Sequence, residues 1–215
     1  MINAVLLGTI GVWATNILYF ICLIPQVQTN IQMRSAKGLS KTMVHLYFTA
    51  YLFKTVYVHL LNLPLAYRVI VPGTLLMIST LVLQLLMYEE DAQEANRLYS
   101  TYAITILAAL MVWCFKISIA LSFFGNPYLL NSGNLAGWVY ICSISTYQLP
   151  QIYKIWQAKS TQGFNFTFVT LHEIGAAIEI ASYFLLGLPL QTLLNGLRGV
   201  ITYIVFIFLF LRYGK

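Results

Sequence analysis

The sequence predicts an all-α membrane protein with seven transmembrane helices, arranged as two parallel three-helix repeats joined by a linker helix. Of the 215 residues, 60% are hydrophobic and only 8% are charged, whereas an ordinary soluble domain has about 25% charged residues. Long apolar runs, each close to the roughly 20 residues that a membrane-spanning helix needs, fill nearly the whole chain. A repeat of the same residues at a constant offset predicts the arrangement in two halves.

Glycine, proline and charged residues separate the apolar runs and mark the ends of the predicted helices. The candidate spans lie near residues 4–28, 41–62, 65–88, 99–124, 133–156, 165–186 and 189–212. They leave no length for a soluble catalytic domain, and the sequence has no metal-ligand cluster, nucleophile–base pair or phosphate-binding loop. We therefore expect neither an enzyme nor a cofactor. The three cysteines also lack the spacing of a disulfide framework or a metal site.

Basic residues sort to one side of this topology. The loops after the first, third and fifth spans and the C-terminal tail contain Lys and Arg, whereas the loop 125–134 has no charge. Short cytoplasmic loops retain Lys and Arg, so the pattern predicts the N-terminus outside and the C-terminus inside the cell. The net charge of +6 is spread over these loops. It therefore indicates orientation in a lipid bilayer rather than a nucleic-acid surface.

An offset of 125 residues relates the two halves. Pro25-Gln26 recurs as Pro150-Gln151, and the same offset relates Trp13 to Trp138, Gly38 to Gly163 and Pro64 to Pro189. This register predicts a first repeat in residues 1–90, an acidic loop and linker helix in 91–130, and a second repeat in 131–215. Because an odd number of spans separates the copies, both enter the membrane from the same side and face each other across a pore.

The repeated motifs resemble those of a known family. In the first copy Leu23–Gln26 precedes Ser35–Ser40, and in the second Gln148–Gln151 precedes Lys159–Phe164. The pair is similar to the motifs of the PQ-loop family, which includes the lysosomal cystine exporter cystinosin, lysosomal cationic amino-acid exporters and, more distantly, the SWEET sugar transporters. The resemblance covers nearly the whole chain and implies an alternating-access transporter. It indicates the family strongly and the substrate only weakly.

Each motif places a proline inside an apolar span. Proline removes one helical hydrogen bond and crowds the carbonyl four residues back, which should weaken the helices near Ile21 and Thr146. The glutamines can bond the freed backbone groups or a neighbouring helix, which lipid cannot do. The resemblance implies that the helices bend here when a cytoplasmic gate opens; a static kink is the alternative. The predicted hinge residues are Pro25, Gln26, Pro150 and Gln151.

Two charged residues inside the spans, Lys54 and Glu179, are related by the same offset. A charge at the centre of a span costs at least about 2.5 kcal/mol, so it needs a partner or a wet cavity. Facing each other across the pore, the two would bind an amino acid, with Lys54 taking its carboxylate and Glu179 its ammonium. A structural salt bridge between the halves is the alternative. Further substrate-binding candidates on the same two helix faces are Tyr47, Tyr51 and Tyr183.

The seventh span adds Asn195 and Arg198, three residues apart on one helix face, to the substrate-binding candidates. Glu173 either clamps Arg198 or faces the pore. His172 shares a face with Glu179 and titrates near neutral pH, which makes it a candidate for proton coupling; a packing role is the alternative. The predicted proton-coupling residues are His172, Glu173 and Glu179.

Together these features predict a transporter of a small polar solute, with an amino acid, including a cationic one, as the favoured substrate. Proton coupling is left open. A SWEET-like sugar facilitator and a membrane receptor that binds without transporting are the alternatives. The C-terminal tail, Arg212 to Lys215, is too short for the sorting signal of lysosomal relatives. We therefore favour a bacterial inner membrane, with a lysosomal or vacuolar membrane as the alternative.

Overall fold

The computed structural model describes residues 3–89, 91–122 and 127–214. It does not describe the side chains of residues 92, 108 and 110–131. These residues form helices and no strand, as the composition predicts. The helices are α1 (Ala4–Ile21), α2 (Leu23–Met33), α3 (Lys41–Leu60), α4 (Leu65–Met87), α5 (Ala92–Ser122), α6 (Pro127–Thr146), α7 (Leu149–Ala158), α8 (Phe166–Leu186) and α9 (Leu190–Tyr213). The first part of the uncharged loop 125–134 and the side chain of Cys114 lie outside this description.

Among the described residues, four helical stretches are long and apolar enough to cross a membrane. They are Ala4–Met33, which joins α1 and α2, and the helices Leu65–Met87, Phe166–Leu186 and Leu190–Tyr213. Many of their large apolar side chains are exposed, among them Leu76 at 72% and Leu211 at 84%. An exterior with so many exposed apolar side chains suits a lipid environment.

Two predicted spans are interrupted at the proline-glutamine motifs. The helix α1 ends at Ile21 and α6 ends at Thr146, in each case four residues before the motif proline. These are the positions expected from the sequence, because the proline nitrogen cannot donate to the carbonyl four residues back. The pairs α1–α2 and α6–α7 therefore correspond to the first and fifth predicted spans. Whether these interruptions act as hinges remains a prediction.

Helix packing follows the 125-residue offset. The helix α1 packs against α8, and the equivalent helix α6 packs against α3. Within each half, α3 contacts α4 as α8 contacts α9. Arg34 and its counterpart Lys159 both have a left-handed backbone, as do Asn62 and its counterpart Gly187. The two sequence repeats thus share local backbone structure and packing partners.

Glycines bring the helices of opposite halves close together. A Cβ atom added at Gly8 of α1 would lie 2.6 Å from the Leu186 side chain of α8. The equivalent addition at Gly133 of α6 would lie 2.6 Å from Leu61, which follows α3. Small residues allow helix backbones to approach closely where lipid supplies no hydrophobic driving force. This packing holds polar side chains of α1 and α8 within contact distance.

The motif glutamines bind the loop of the opposite half. Gln26 donates from Nε2 to the Gly163 carbonyl at 3.0 Å, and its Oε1 accepts from the Asn165 amide at 2.8 Å. Gln26 is fully buried. The Gln26 side chain thereby satisfies one backbone carbonyl and one backbone amide of the opposite loop, which has few backbone hydrogen bonds of its own.

Gln151 makes the equivalent bonds in the other direction. It donates to the Gly38 carbonyl at 3.0 Å and accepts from the Ser40 amide at 2.7 Å. Between the two glutamines the loops touch at their glycines, where a Cβ at Gly38 would lie 2.3 Å from the carbonyl carbon of Gly163. Gly163 also has a φ of +77°, which favours glycine. The two halves are therefore in contact at the loop end.

Charged side chains add further bonds at this end. Lys154 of the second half donates from Nζ to the carbonyls of Lys37 and Leu39 at 2.6 and 2.7 Å. Lys41 forms an ion pair with Glu89. The hydrogen bond from Lys41 holds the pKa of the half-buried Glu89 carboxyl below the usual value. The loop end is thus closed by polar contacts, most of which join one half to the other.

We expect Gly38→Ala to hold the two loops apart, because the added Cβ would overlap the Gly163 backbone. Cys22, which is fully buried at the interruption of the first span, should then react about tenfold faster with a soluble maleimide. Such a factor corresponds to a change of about 1.4 kcal/mol in an opening equilibrium. The measurement is the labelling rate of purified protein in a background with serine at positions 114 and 142.

Gly73→Ala is the matched control. Its Cβ would lie 3.6 Å from the nearest atom, in the Phe20 ring, an ordinary van der Waals distance. In this variant, Cys22 should react with the maleimide at the same rate as in the unchanged protein. Equal rates in the two glycine variants would show that the Gly38–Gly163 contact does not control access.

Candidate functional site

The structure brings the two predicted charges together in the protein interior. Lys54 Nζ of α3 lies 3.9 Å from Oε1 of Glu179 in α8. The two residues are 2% and 1% exposed. Across the part of the chain that the structure describes, the Lys54 ammonium finds no hydrogen-bond acceptor. The contact is therefore an ion pair without a hydrogen bond.

The Glu179 carboxylate, in contrast, is fully hydrogen-bonded. Its Oε2 accepts from the Tyr19 hydroxyl at 2.9 Å and from Asn195 Nδ2 at 2.5 Å. Its Oε1 accepts from the Tyr67 hydroxyl at 3.0 Å. Hydrogen bonds to an ionised group are stronger than those between neutral groups. Three helices, α1, α4 and α9, thus fix the position of this carboxylate.

Four tyrosine rings surround the Lys54 ammonium. Its Nζ lies 4.9 Å from the ring centroid of Tyr19, 5.0 Å from Tyr140, 5.4 Å from Tyr51 and 5.5 Å from Tyr67. We call these four residues the tyrosine cage. A cation within about 6 Å of an aromatic ring is attracted by its quadrupole, by about 2 kcal/mol or more in a desolvated site. The cage offsets part of the missing hydrogen bonding.

A second buried charge cluster centres on Glu173. Its Oε1 accepts from Gln148 Nε2 at 2.6 Å and from Arg198 Nη1 at 3.4 Å, and it lies 3.1 Å from His172 Nδ1. Arg198 Nη1 also donates to Gln148 Oε1 at 2.7 Å. Of the two positions expected for Glu173, the structure has the clamp with Arg198.

Asn195 links the two ion pairs. Its Nδ2 donates to Glu179, and its Oδ1 accepts from Arg198 Nη2 at 3.3 Å. The chain of contacts therefore runs from Lys54 through Glu179, Asn195 and Arg198 to Glu173. All five residues are buried. The two positive and two negative charges balance, which limits the cost of placing them in an apolar interior.

His172 lies in an aromatic group next to this chain. Its ring centroid is 5.8 Å from that of Tyr47 and 5.9 Å from that of Tyr147, and these two tyrosines stack at 4.7 Å. From the sequence, His172 and Glu179 lie on one helix face and could share a proton directly or through water. In the structure the carboxylate in contact with His172 is that of Glu173.

Six of the seven predicted substrate-binding residues lie in one connected, buried region. Tyr183 does not, since its half-buried ring packs edge-on against Phe184 at 5.0 Å. The six are Lys54, Glu179, Tyr47, Tyr51, Asn195 and Arg198. Each is at most 8% exposed, so the region is closed to water in this structure.

Sequence reasoning missed several residues of the site. Three cage tyrosines and the amide that bonds Glu173 carry no charge, and the repeat offset relates them to unlike residues. The offset relates Tyr19 to Ile144 and Tyr140 to Thr15, so no repeated pattern marks them. A signal for the amide was available, since it is a polar residue at the start of the second motif. The missed residues are Tyr19, Tyr67, Tyr140 and Gln148.

Comparison with known families agrees with the repeat. The model of the PQ loop repeat matches residues 7–67 and 132–192. The two matches cover more than half of the chain and differ by the offset found in the sequence. The chain belongs to the PQ-loop repeat family. The resemblance drawn from the paired motifs is thereby confirmed, and this PQ-loop protein is a multi-pass membrane protein.

A solved structure extends this result to the fold. The PQ-loop protein is similar to a eukaryotic SWEET transporter with a TM-score of 0.68, at 12% sequence identity over 96% of this chain and 98% of that chain. At this identity the similarity shows a shared fold. A search of curated proteins found no match.

We expect Arg198→Met to lower the free energy of unfolding by about 3–5 kcal/mol, because it leaves the buried Glu173 carboxylate unpaired. The double variant Glu173→Gln/Arg198→Met should recover most of this loss. Thermal unfolding of the detergent-purified protein measures both. Arg212→Met, at an exposed position of the same helix, is the control and should change stability by less than about 0.5 kcal/mol. A double variant no more stable than Arg198→Met would contradict the clamp.

Proposed function

We propose that this PQ-loop protein is an alternating-access transporter of a zwitterionic amino acid, cationic amino acids included, and that Lys54 and Glu179 form its substrate site. The observation that carries the proposal is the ion pair itself. Two opposite charges, one from each half, lie 3.9 Å apart in a closed interior without a hydrogen bond between them. Such a pair can separate to admit a ligand that carries both charges.

A zwitterion fits this site because it exchanges partners without leaving a charge unpaired. The substrate carboxylate pairs with Lys54, and the substrate ammonium pairs with Glu179. When the side chain of the amino acid is uncharged, the total charge of the site is zero before and after binding, so no net charge enters the apolar interior. A neutral sugar would separate the pair without replacing either partner. For this reason we favour an amino acid over the sugar alternative.

The proposed topology places three helices on each side of the pore, in parallel, with the N-terminus outside and the motif loops in the cytoplasm of a bacterium. Opening toward the cytoplasm would break the bonds of Gln26 and Gln151 to the opposite loops. The helix interruptions at Ile21 and Thr146 would then absorb the bending. These roles follow from where the halves touch.

Proton coupling is a second part of the proposal. His172 contacts Glu173, and the chain through Arg198 and Asn195 ends at Glu179. Protonation of His172 would place a positive charge next to the Glu173 carboxylate and so weaken its pairing with Arg198. That change would in turn affect the substrate site. The coupling would act through the bonded chain rather than by direct transfer to Glu179.

The first test removes the two charges of the substrate site. Lys54→Met and Glu179→Gln should each weaken amino-acid binding by about 2–5 kcal/mol, because each leaves one buried charge unpaired. The double variant should fold but bind no amino acid. Ligand-induced thermal shifts followed by uptake into proteoliposomes, with amino acids and sugars compared, are the measurements. A double variant that binds and transports amino acids would reduce the pair to a structural salt bridge. Binding without uptake in the unchanged protein would indicate a receptor.

The second test concerns the hinges. Pro25→Ala and Pro150→Ala should insert and fold but transport more slowly, because uninterrupted helices are stiffer at the loop end. The initial rate of uptake into proteoliposomes should fall about tenfold, equivalent to about 1.4 kcal/mol of added barrier. Pro189→Ala, at the start of α9, is the control. Unchanged rates in both motif variants would leave the prolines as static kinks.

The third test concerns proton coupling. His172→Gln should flatten the pH dependence of uptake between about pH 5 and 8, the range in which an imidazole changes charge. Counterflow exchange, which needs no net proton movement, should be spared. His59→Gln, near the end of α3, is the control. A variant that keeps the original pH profile would exclude coupling through His172.

A further inference from the structure

The Lys54 ammonium is held by aromatic rings rather than by hydrogen bonds. Its four neighbours come from four different helices, α1, α3, α4 and α6, and their ring centroids lie 4.9–5.5 Å away. The Lys54 nitrogen has no hydrogen-bond partner in the described part of the chain. All four tyrosines are at most 2% exposed. Converging rings of this kind form a binding site for a cationic group.

We infer that the tyrosine cage is the binding site for the primary ammonium group of the substrate, and that Lys54 occupies it as a tethered substitute when the protein is closed and empty. This inference rests on the proposed function. It adds the location of the substrate ammonium and gives Lys54 a second position. On binding, the substrate ammonium enters the cage, and the Lys54 ammonium leaves it to pair with the substrate carboxylate.

The hydrogen bonds of the cage support this exchange. Tyr19 and Tyr67 donate their hydroxyls to Glu179, so these two rings and the carboxylate keep their positions when the cation changes. Lys54 has no comparable bond and is the easiest member of the site to displace. The cage therefore belongs to the fixed framework, and the lysine is the mobile part.

The exchange also predicts selectivity. A zwitterion supplies a cation for the cage and an anion for the displaced Lys54. An amine without a carboxylate would leave Lys54 unpaired, and a neutral solute would leave both the cage and Glu179 without a cation. The intact protein should therefore discriminate against simple amines, whereas a protein without Lys54 should bind them.

Lys54→Ala tests this directly, because it removes a side-chain segment that corresponds to propylammonium. We expect propylammonium to raise the melting temperature of purified Lys54→Ala, and 1-propanol, the neutral molecule of the same size, to leave it unchanged. The unchanged protein should respond to neither, since its cage is already occupied. If Lys54→Ala is unstable, the yield of monodisperse protein purified with each compound provides the same comparison.

The tyrosine cage is tested in the Lys54→Ala background. Tyr140→Leu removes a ring whose centroid lies 5.0 Å from the position of the lysine nitrogen. It should raise at least tenfold the propylammonium concentration needed for the same stabilisation. Tyr140→Phe keeps the ring and should retain the effect. Stabilisation by both compounds equally, by neither, or in the same degree in the two Tyr140 variants would overturn the inference. These measurements need no transport. A protein that shows no uptake but has a cage selective for propylammonium would therefore contradict the proposed function and leave this inference in place.

Discussion

The need to neutralise charge in an apolar interior governs this structure. Lys54 and Glu179 are both almost completely buried, and neither can be placed there alone without a large desolvation cost. Each half of the chain supplies one of them, so the halves must close on each other for the charges to meet. The glycines that let α1 approach α8 make this possible. By the same requirement, a ligand that separated the pair would have to replace both charges.

The fold repeats, but the polar site does not. The positions that correspond to Glu173 and Arg198 in the first half are Phe48 and Gly73, and the second charge cluster therefore exists only in the second half. Asn195 joins that cluster to Glu179. A symmetric framework thus holds an asymmetric polar region. Such an arrangement suits the proposed ligand, whose two ends differ in charge.

The loop end, in contrast, keeps its symmetry. Gln26 and Gln151 make matching pairs of bonds to the opposite loops, and Gly38 lies against Gly163. Both halves contribute the same contacts, so they can form and break together. This explains the motif in physical terms: the proline ends a helical segment, and the glutamine beside it satisfies the backbone of the neighbouring half. In the proposed transporter, the charges in the interior would select the ligand and this end would control access to them.

The sequence by itself determined the helical membrane class, the offset of the two repeats and the family, because hydrophobic length and repeated motifs are written directly in the order of residues. It also determined that Lys54 and Glu179 occupy equivalent positions, and that the helices weaken near Ile21 and Thr146. Only the tertiary structure decided what surrounds those charges. The cage tyrosines come from four helices and share no spacing along the chain, and Glu173 could turn toward the pore or toward Arg198 with the same helical periodicity. Side-chain partners across helices depend on rotation and close approach, which neither periodicity nor repeat offset specifies.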